Sequence, residues 1–404
     1  MSRSRPKLIF NQLIAAPPAQ VFRAFTNASA MCEWLCDMAT LEPQPGGRIY
    51  IKWSGSYYAA GEFLQVEPER LVTFTWQGRA EPKPTQVTVN IRPAQKGTRL
   101  RLVHRSLGRT AAWDQIAAEY EKGWLSSLEN LAHVLEHGPD LRVVRRPMLG
   151  VNVSDFNAEI ASRLGIPLAQ GIRLDSVVEG LGAHAAGLQK DDVIVGMDGA
   201  PITDYASLAG VVARHQAGDA VELVFYRRTA KKTTHMVFSP RPVPEVPPTP
   251  ALLAAEFEQR CTATRHRLDQ FLAEVSEAEA DFKPAPGEWS IKEVLAHLVQ
   301  GERVWQHLLS DMIGGHESHY DDWAGNLQIW IEATVAAYPT LPDLVGELKR
   351  LRVETRALLE RLPEAFTARK STYWRLATQV LQLPYHDDIH LEQMQAALEA
   401  ARAA

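Results

Sequence analysis

Hydrophobic and polar positions change their period twice along the chain. The first stretch opens with a short apolar run and a helical pattern after Pro17 and Pro18. It then alternates residue by residue in RIYIKW, LVTFTW, TQVTVNI and RLRLVH, the two-residue period of strands with one face on a core. Gly and Pro turns separate these runs, and a long helical pattern from about Ala112 to His137 closes the stretch. A middle stretch reads as short strands, MLGVNV, GIRLDSVV, DDVIVGMDG, AVELVFYRR and THMVFS, around two short helices at Ala183–Ala186 and Tyr205–Gln216. The last stretch shifts to three- and four-residue spacings. AAEFEQRCTATRHRLDQFLAEV, SIKEVLAHLVQGERVWQHLL, PDLVGELKRLRVETRALLERL and HDDIHLEQMQAALEA are four amphipathic helices of bundle length.

Punctuation divides these stretches. His137-Gly138-Pro139-Asp140 ends the long helix with a glycine cap followed by proline. From Pro240 to Pro250, six prolines in eleven residues favour a stiff polyproline II spacer. The expectation is a multidomain chain: an α+β helix-grip domain over 1–138, a small mainly-β domain over 141–240, a Pro-rich linker at 241–250, and an all-α up-down four-helix bundle over 251–404.

Composition narrows the function classes. With 404 residues, 46% hydrophobic and 23% charged, the chain is long enough for several cores. A net charge of -5 gives no electrostatic case for nucleic acid or an anionic membrane, and the basic run Arg142, Arg145 and Arg146 reads as a solvated boundary. The segment MSRSRPKLIFNQLIAAPP breaks its apolar run at Asn11 and Gln12, unlike a secretory signal, and no segment approaches the ~18 apolar residues of a membrane span. Cys32, Cys36 and Cys261 make no disulfide framework. A cytoplasmic location is therefore expected, with Cys32 and Cys36 read as two buried small hydrophobes.

Candidate chemistry sits on the histidines. His386 and His390 lie four apart, about 40° apart on a helical wheel, and one more histidine from a facing helix completes three imidazoles around a divalent metal. His297 is that third residue. Ser290 and Glu293 form a capping box that starts its helix, and His297 falls on the flank of the stripe Ile291, Val294, Leu295 and Leu298. Imidazole donors suit zinc, nickel, iron or manganese without distinguishing them. Glu302, Asp387 and Asp388 are the carboxylates nearby in sequence, either solvated helix charges or partners that orient a histidine. His307, His316 and His319 are read as solvated.

Three family resemblances rest on particular runs. PPAQVFRAFTN, Trp34, PGGRIYI, GEFLQVEPERLVTFTW, GTRLRLVH and Gly123-Trp124 resemble the START-like, or SRPBCC, domains related to the activator of heat-shock protein 90 ATPase. That resemblance implies a stress-response setting, and a cavity between sheet and helix for an apolar ligand or a surface for a protein. Trp34, Trp53, Trp76, Trp113 and Trp124 either line such a cavity or fill the core, as do His104 and Glu62. AHAAGLQKDDVIVGMDGAPITDYASL resembles a PDZ domain of the HtrA type. It implies capture of a peptide or protein C-terminus, with the carboxylate at Leu149, Gly150 and Val151 and a side-chain pocket against Leu208 and Val212. Asp191 departs from that family, which often has glycine there, and no serine-protease motif accompanies the domain. PGEWSIKEVLAHLVQGE and HDDIHLEQM resemble the DinB family, which includes thiol-transferase relatives. It implies a divalent metal held by His297, His386 and His390.

These readings converge on a cytoplasmic metal-binding adaptor. The alternative is a metal-dependent transferase or hydrolase acting on a low-molecular-weight thiol conjugate, and a third possibility is a purely structural protein whose histidines only pack.

Overall fold

The computed structural model describes residues 7–53, 57–79, 81–316 and 327–404. It forms two compact units, one of Met1–Asp140 with Pro244–Ala404 and one of Leu141–Val243.

The first unit begins with β1 (Leu8–Ile14), α1 (Pro18–Thr26) and α2 (Ala28–Cys32). Six strands follow, β2 (Met38–Leu41), β3 (Arg48–Lys52), β4 (Tyr58–Glu67), β5 (Leu71–Gly78), β6 (Thr85–Ala94) and β7 (Gly97–Arg105), and then the long helix α3 (Ala111–Glu136). Among the described residues the strands make one antiparallel sheet in the order β1-β7-β6-β5-β4-β3-β2. Alternation sends Val87, Val89 and Ile91 of β6 and Leu100, Leu102 and His104 of β7 to the buried face. The register Val89↔Leu102 and Ile91↔Leu100 sets them side by side. α3 lays Trp113, Tyr120, Trp124, Leu128 and Leu131 on that face at helical spacing. Gly97 turns the β6–β7 hairpin at φ +116, where a Cβ would meet the Ile14 carbonyl at 2.2 Å.

The second unit holds α4 (Leu141–Val144), β8 (Pro147–Met148), β9 (Val151–Ser154), α5 (Ala158–Leu164), β10 (Ile172–Val177) and α6 (Gly182–Ala185). It continues with β11 (Val193–Met197), β12 (Ala200–Pro201), α7 (Tyr205–Val212), β13 (Ala220–Arg227), β14 (Ala230–Val237) and β15 (Ser239–Pro240). The sheet order is β14-β13-β11-β10-β9, with β12 on β11 and β15 paired to β8. Asp204 caps α7 through a capping box with Ser207, and the helix ends at Val212, four residues before the sequence pattern places its end. Asp191 takes the left-handed conformation at φ 67, which suits the position where a glycine is expected. Its carboxylate receives the Arg173 Nε and Nη2 donors at 2.8 and 2.6 Å. Next to it, fully buried Asp192 pairs with Arg227 through two bonds of 2.7 Å.

The chain then returns to the first unit with α8 (Pro250–Leu272), α9 (Glu277–Asp281), α10 (Ile291–Gly314), α11 (Leu327–Ala337), α12 (Leu341–Glu360), α13 (Glu364–Thr367), α14 (Lys370–Val380) and α15 (Leu383–Ala403). The four long helices contact one another in the ring α10–α12–α8–α15. The proline-rich spacer is shorter than its sequence suggests. Pro240 pairs in β15, the Pro247 carbonyl accepts from Tyr373 Oη at 2.9 Å, Val246 packs on the bundle core, and Pro250 already begins α8 behind its cap Thr249.

The four-helix reading leaves out α11 and α14, each 11 residues long, and α14 joins the bundle to the helix-grip domain. Glu33, at the end of α2 and 6% exposed, accepts hydrogen bonds from Ser371 Oγ and Thr372 Oγ1. Asn27 donates to the Gly315 carbonyl at 2.9 Å, and Lys370 Nζ to the Glu136 carbonyl at 2.6 Å. The face α14 buries is therefore partly polar, which weakens its 3.6-residue signal. A Glu33→Ala change strips two buried hydroxyls of their acceptor, and an expected loss of about 3 kcal/mol is read by denaturant unfolding of the full chain. A loss within about 0.5 kcal/mol contradicts this assignment.

Candidate metal centre

Local sequence sets where each histidine falls on its helix. At the start of α10 the Ser290 amide donates to Glu293 Oε2 at 2.9 Å and the Glu293 amide to Ser290 Oγ at 3.2 Å. Ile291, Val294, Leu295 and Leu298 bury the core face, which leaves His297 half-buried on its flank. α15 starts with Pro384 in its first turn, and His386 and His390 follow one turn apart.

The three imidazoles converge. Ring centroids are 4.4 Å apart for His386 and His390, 4.6 Å for His297 and His390, and 5.4 Å for His297 and His386. One nitrogen from each lies within 4.8 Å of the others. The donor set fits a divalent ion on two observations. His297 Nδ1 is buried with no hydrogen-bond partner among the described residues, a polar atom whose bonding capacity is unspent. The Nε2 atoms of His386 and His390 approach to 3.0 Å, near the spacing of two ligands each about 2.0–2.1 Å from one ion. Gln393 Oε1 accepts from His390 Nδ1 at 2.8 Å, which assigns the proton to Nδ1 and leaves Nε2 as the ligand nitrogen.

Burial favours the neutral form of His297 and His386. Burial, and then the neighbouring His390 and His386, lower the His297 pKa to about 4. Burial followed by His390 lowers that of His386. Neutral imidazoles are the form that binds metal. The ring of Trp289, 5.0 Å from His297, forms one wall.

Behind the histidines lies a buried charge network. Arg352 of α12 reaches Asp387 of α15 through Nη2 and Glu302 of α10 through Nε at 3.4 Å, and Thr355 Oγ1 donates to Glu302 at 3.0 Å. Burial raises Asp387 to about 6 against the pull of Arg352, so it is a carboxylate at neutral pH. Asp388 instead pairs at the surface with Arg267 at 2.6 Å. All three carboxylates singled out in the sequence are thus engaged by arginines. Arg352 is missing from the residues singled out in the sequence; the signal that points to it is its place at helical spacing on the apolar row Leu344, Leu348 and Leu359 of α12.

The remaining candidates are placed as follows. His307 is exposed with Asp311 3.8 Å away, His316 is exposed, and His319 lies outside the described residues. Cys261 is buried, and burial pushes its thiol up to about 12. Cys32 and Cys36 are buried, their sulfurs 3.9 Å apart. Trp34, Trp76, Trp113 and Trp124 all belong to the core cluster and Trp53 packs against it; Trp53, Trp76 and Trp124 also line a cavity of about 560 Å³ between sheet and α3. Glu62 is exposed on β4. His104 is fully buried. It accepts from Trp124 Nε1 at Nδ1 over 3.1 Å, so its Nε2–H faces Thr85 Oγ1 at 2.7 Å. Burial lowers its pKa to about 3, making it a neutral core polar group.

In the second unit Gly150 sits at φ +80, and a Cβ there would lie 2.3 Å from Leu181 Cβ. The Leu149 and Gly150 carbonyls are held by the amides of Ala183 and Val178 at 2.8 and 2.9 Å. Val151 opens β9, the terminal strand of the sheet path. Leu208 is buried in the domain core and Val212 packs against that core.

Residues 15–136 match the family described as Activator of Hsp90 ATPase homolog 1-like protein, residues 147–236 the PDZ domain, and residues 260–394 the DinB superfamily. The chain joins these three domains. It is 31% identical over 94 residues to a probable periplasmic serine protease do/HhoA-like of Haemophilus influenzae, covering 23% of this chain and 19% of that protein. It is 27% identical over 88 residues to the periplasmic pH-dependent serine endoprotease DegQ of Escherichia coli, covering 22% and 19%. The chain therefore spans about a fifth of the length of these curated relatives. A solved HSP90 activator from Plasmodium falciparum is 23% identical, covers 32% of this chain and 95% of its own, and has a TM-score of 0.29.

Two outcomes follow from the buried groups. Arg352→Met leaves two carboxylates without their cation and is expected to cost about 3–5 kcal/mol in denaturant unfolding; a near-neutral change contradicts the network. His297 is lowered from 6.5 to about 4 in the fold, so the unfolded chain takes up the proton first as pH falls. The stability that neutral His297 contributes is present above pH 6.5 and is lost towards about pH 4. Metal-free wild type is expected to lose more stability over that window than His297→Gln, and parallel pH profiles would refute the assignment.

Proposed function

We propose that this three-domain chain is a cytoplasmic adaptor whose DinB-like bundle holds one divalent metal ion through His297, His386 and His390. In this reading the PDZ domain takes peptide or protein C-termini, and the helix-grip domain takes an apolar ligand or a protein surface. The observation that carries the proposal is the convergence of three imidazoles, one with an unpartnered buried nitrogen, on donor atoms within 4.8 Å. A divalent ion held by three imidazoles keeps further coordination positions, where it lowers the pKa of a bound water or thiol. The protein's own part is to hold the rings. Gln393 orients His390, Trp289 walls His297, and Arg352 ties together the helices that carry all three.

One observation favours the second reading, a metal-dependent transferase or hydrolase acting on a low-molecular-weight thiol conjugate. His386 is exposed, so a small molecule has access to the cluster. Against it, Glu302, Asp387 and Asp388 are all paired with arginines, which removes the nearby candidates for a general base. The adaptor reading is therefore the stronger. Three buried cysteines outside any disulfide are compatible with a reducing compartment. From the likeness to periplasmic proteases the proposal takes only peptide capture.

Elemental mass spectrometry of untagged protein is expected to find one divalent metal per chain. His297→Ala, His386→Ala and His390→Ala should each remove most of it. Metal-free protein that takes up none of zinc, nickel, iron or manganese would overturn the metal reading. For the PDZ domain, peptides with a free C-terminal carboxylate should bind and their C-terminal amides should not, and Gly150→Ala should abolish binding. Equal affinity for acid and amide would contradict the proposed carboxylate loop.

A further inference from the structure

The cavity of the helix-grip domain has a chemistry of its own. Five of its lining residues are aromatic: Trp53, Tyr57, Trp76, Tyr120 and Trp124. Their rings form a contiguous set, with centroids 5.3 Å apart for Trp53 and Tyr57, 5.9 Å for Trp53 and Trp76, 5.6 Å for Trp76 and Trp124, and 6.5 Å for Trp76 and Tyr120. Ring faces are electron-rich and attract cations. At about 560 Å³ the cavity has the size of a small-molecule site.

The charged groups on the lining are the carboxylates of Glu81 and Glu119 and the guanidinium of Arg79. Glu81 is fixed in place, since its Oε2 accepts from the Gly78 amide at 2.7 Å and its Oε1 from Tyr57 Oη at 3.2 Å. Its charge is felt inside the cavity. Burial, and after it Glu81, push the phenols of Tyr57 and Tyr120 above their ordinary value. His104, ringed by Trp76, Tyr120 and Trp124, offers no compensating positive charge, because both its nitrogens are spent on Trp124 and Thr85. Aromatic walls with a net negative lining disfavour an anion and add an attraction for a cation to their affinity for an apolar body.

We propose that this cavity binds a compact organic cation, an ammonium group carried on an apolar body, held by the aromatic rings and balanced by Glu81 and Glu119. The proposal rests on reading the helix-grip domain as a ligand-binding domain and names the ligand class.

Benzyltrimethylammonium is the probe, because its quaternary nitrogen has no lone pair and cannot ligate a metal in the bundle. Neopentylbenzene, its neutral isostere, and phenylmethanesulfonate, an anionic counterpart, are the comparisons. Titration of the full chain, followed by tryptophan fluorescence and calorimetry, is expected to show the cation binding at least about tenfold more tightly than either comparison. E81Q and E119Q are each expected to weaken it by roughly threefold or more. Glu119 is exposed on α3, so E119Q keeps the test valid should E81Q fail to fold. If the neutral or anionic compound binds as tightly as the cation, or if the folded variants keep wild-type affinity, the proposal is overturned while the ligand-cavity reading stands. If none of the three compounds binds, the ligand-cavity reading falls and the proposal falls with it.

Discussion

The arrangement of the helical half depends on one buried cation. Arg352 is desolvated inside the bundle, and a guanidinium there is tolerable only with compensating carboxylates and hydrogen bonds. Those carboxylates are Glu302 and Asp387, on α10 and α15, the two helices that carry the histidines. Asp387 adjoins His386 in sequence, and Glu302 lies little more than one helical turn beyond His297. A rotation or slip of α15 that moved its histidines away from His297 would also withdraw Asp387 from Arg352. The cost of an unpaired buried charge thereby becomes a constraint on the spacing of three imidazoles.

The same logic of satisfied buried polarity recurs in the helix-grip domain. His104 reaches the interior because β7 alternates, and it stays there neutral because Trp124 and Thr85 occupy its two nitrogens. Glu33 reaches the interior of the same unit because Ser371 and Thr372 of α14 meet its carboxylate. Each group costs desolvation, and each is paired with a partner distant in sequence, which ties the elements together in one arrangement.

What the sequence made legible follows from which interactions are local. The strand alternation of β6 and β7, the capping box of α10, and the i,i+4 pair His386 and His390 are written in neighbouring residues and can be read directly. The three family resemblances extend this to domain order. Partnerships between residues far apart in the chain could not be read, such as Glu33 with Ser371 and Thr372, and neither could which of the five tryptophans border the cavity. α14 escaped notice because its buried face includes Ser371 and Thr372. The proline run was read as a longer spacer because a proline at the first turn of α8 looks, in sequence, like one more linker proline.

X-ray absorption spectroscopy of protein loaded with one equivalent of zinc tests the central claim most directly, because it reports which atoms hold the ion. The account predicts a first shell dominated by nitrogen at about 2.0–2.1 Å, with the outer-shell scattering of three imidazoles. A shell of oxygen or sulfur, or an imidazole count unchanged by His297→Ala, would contradict it.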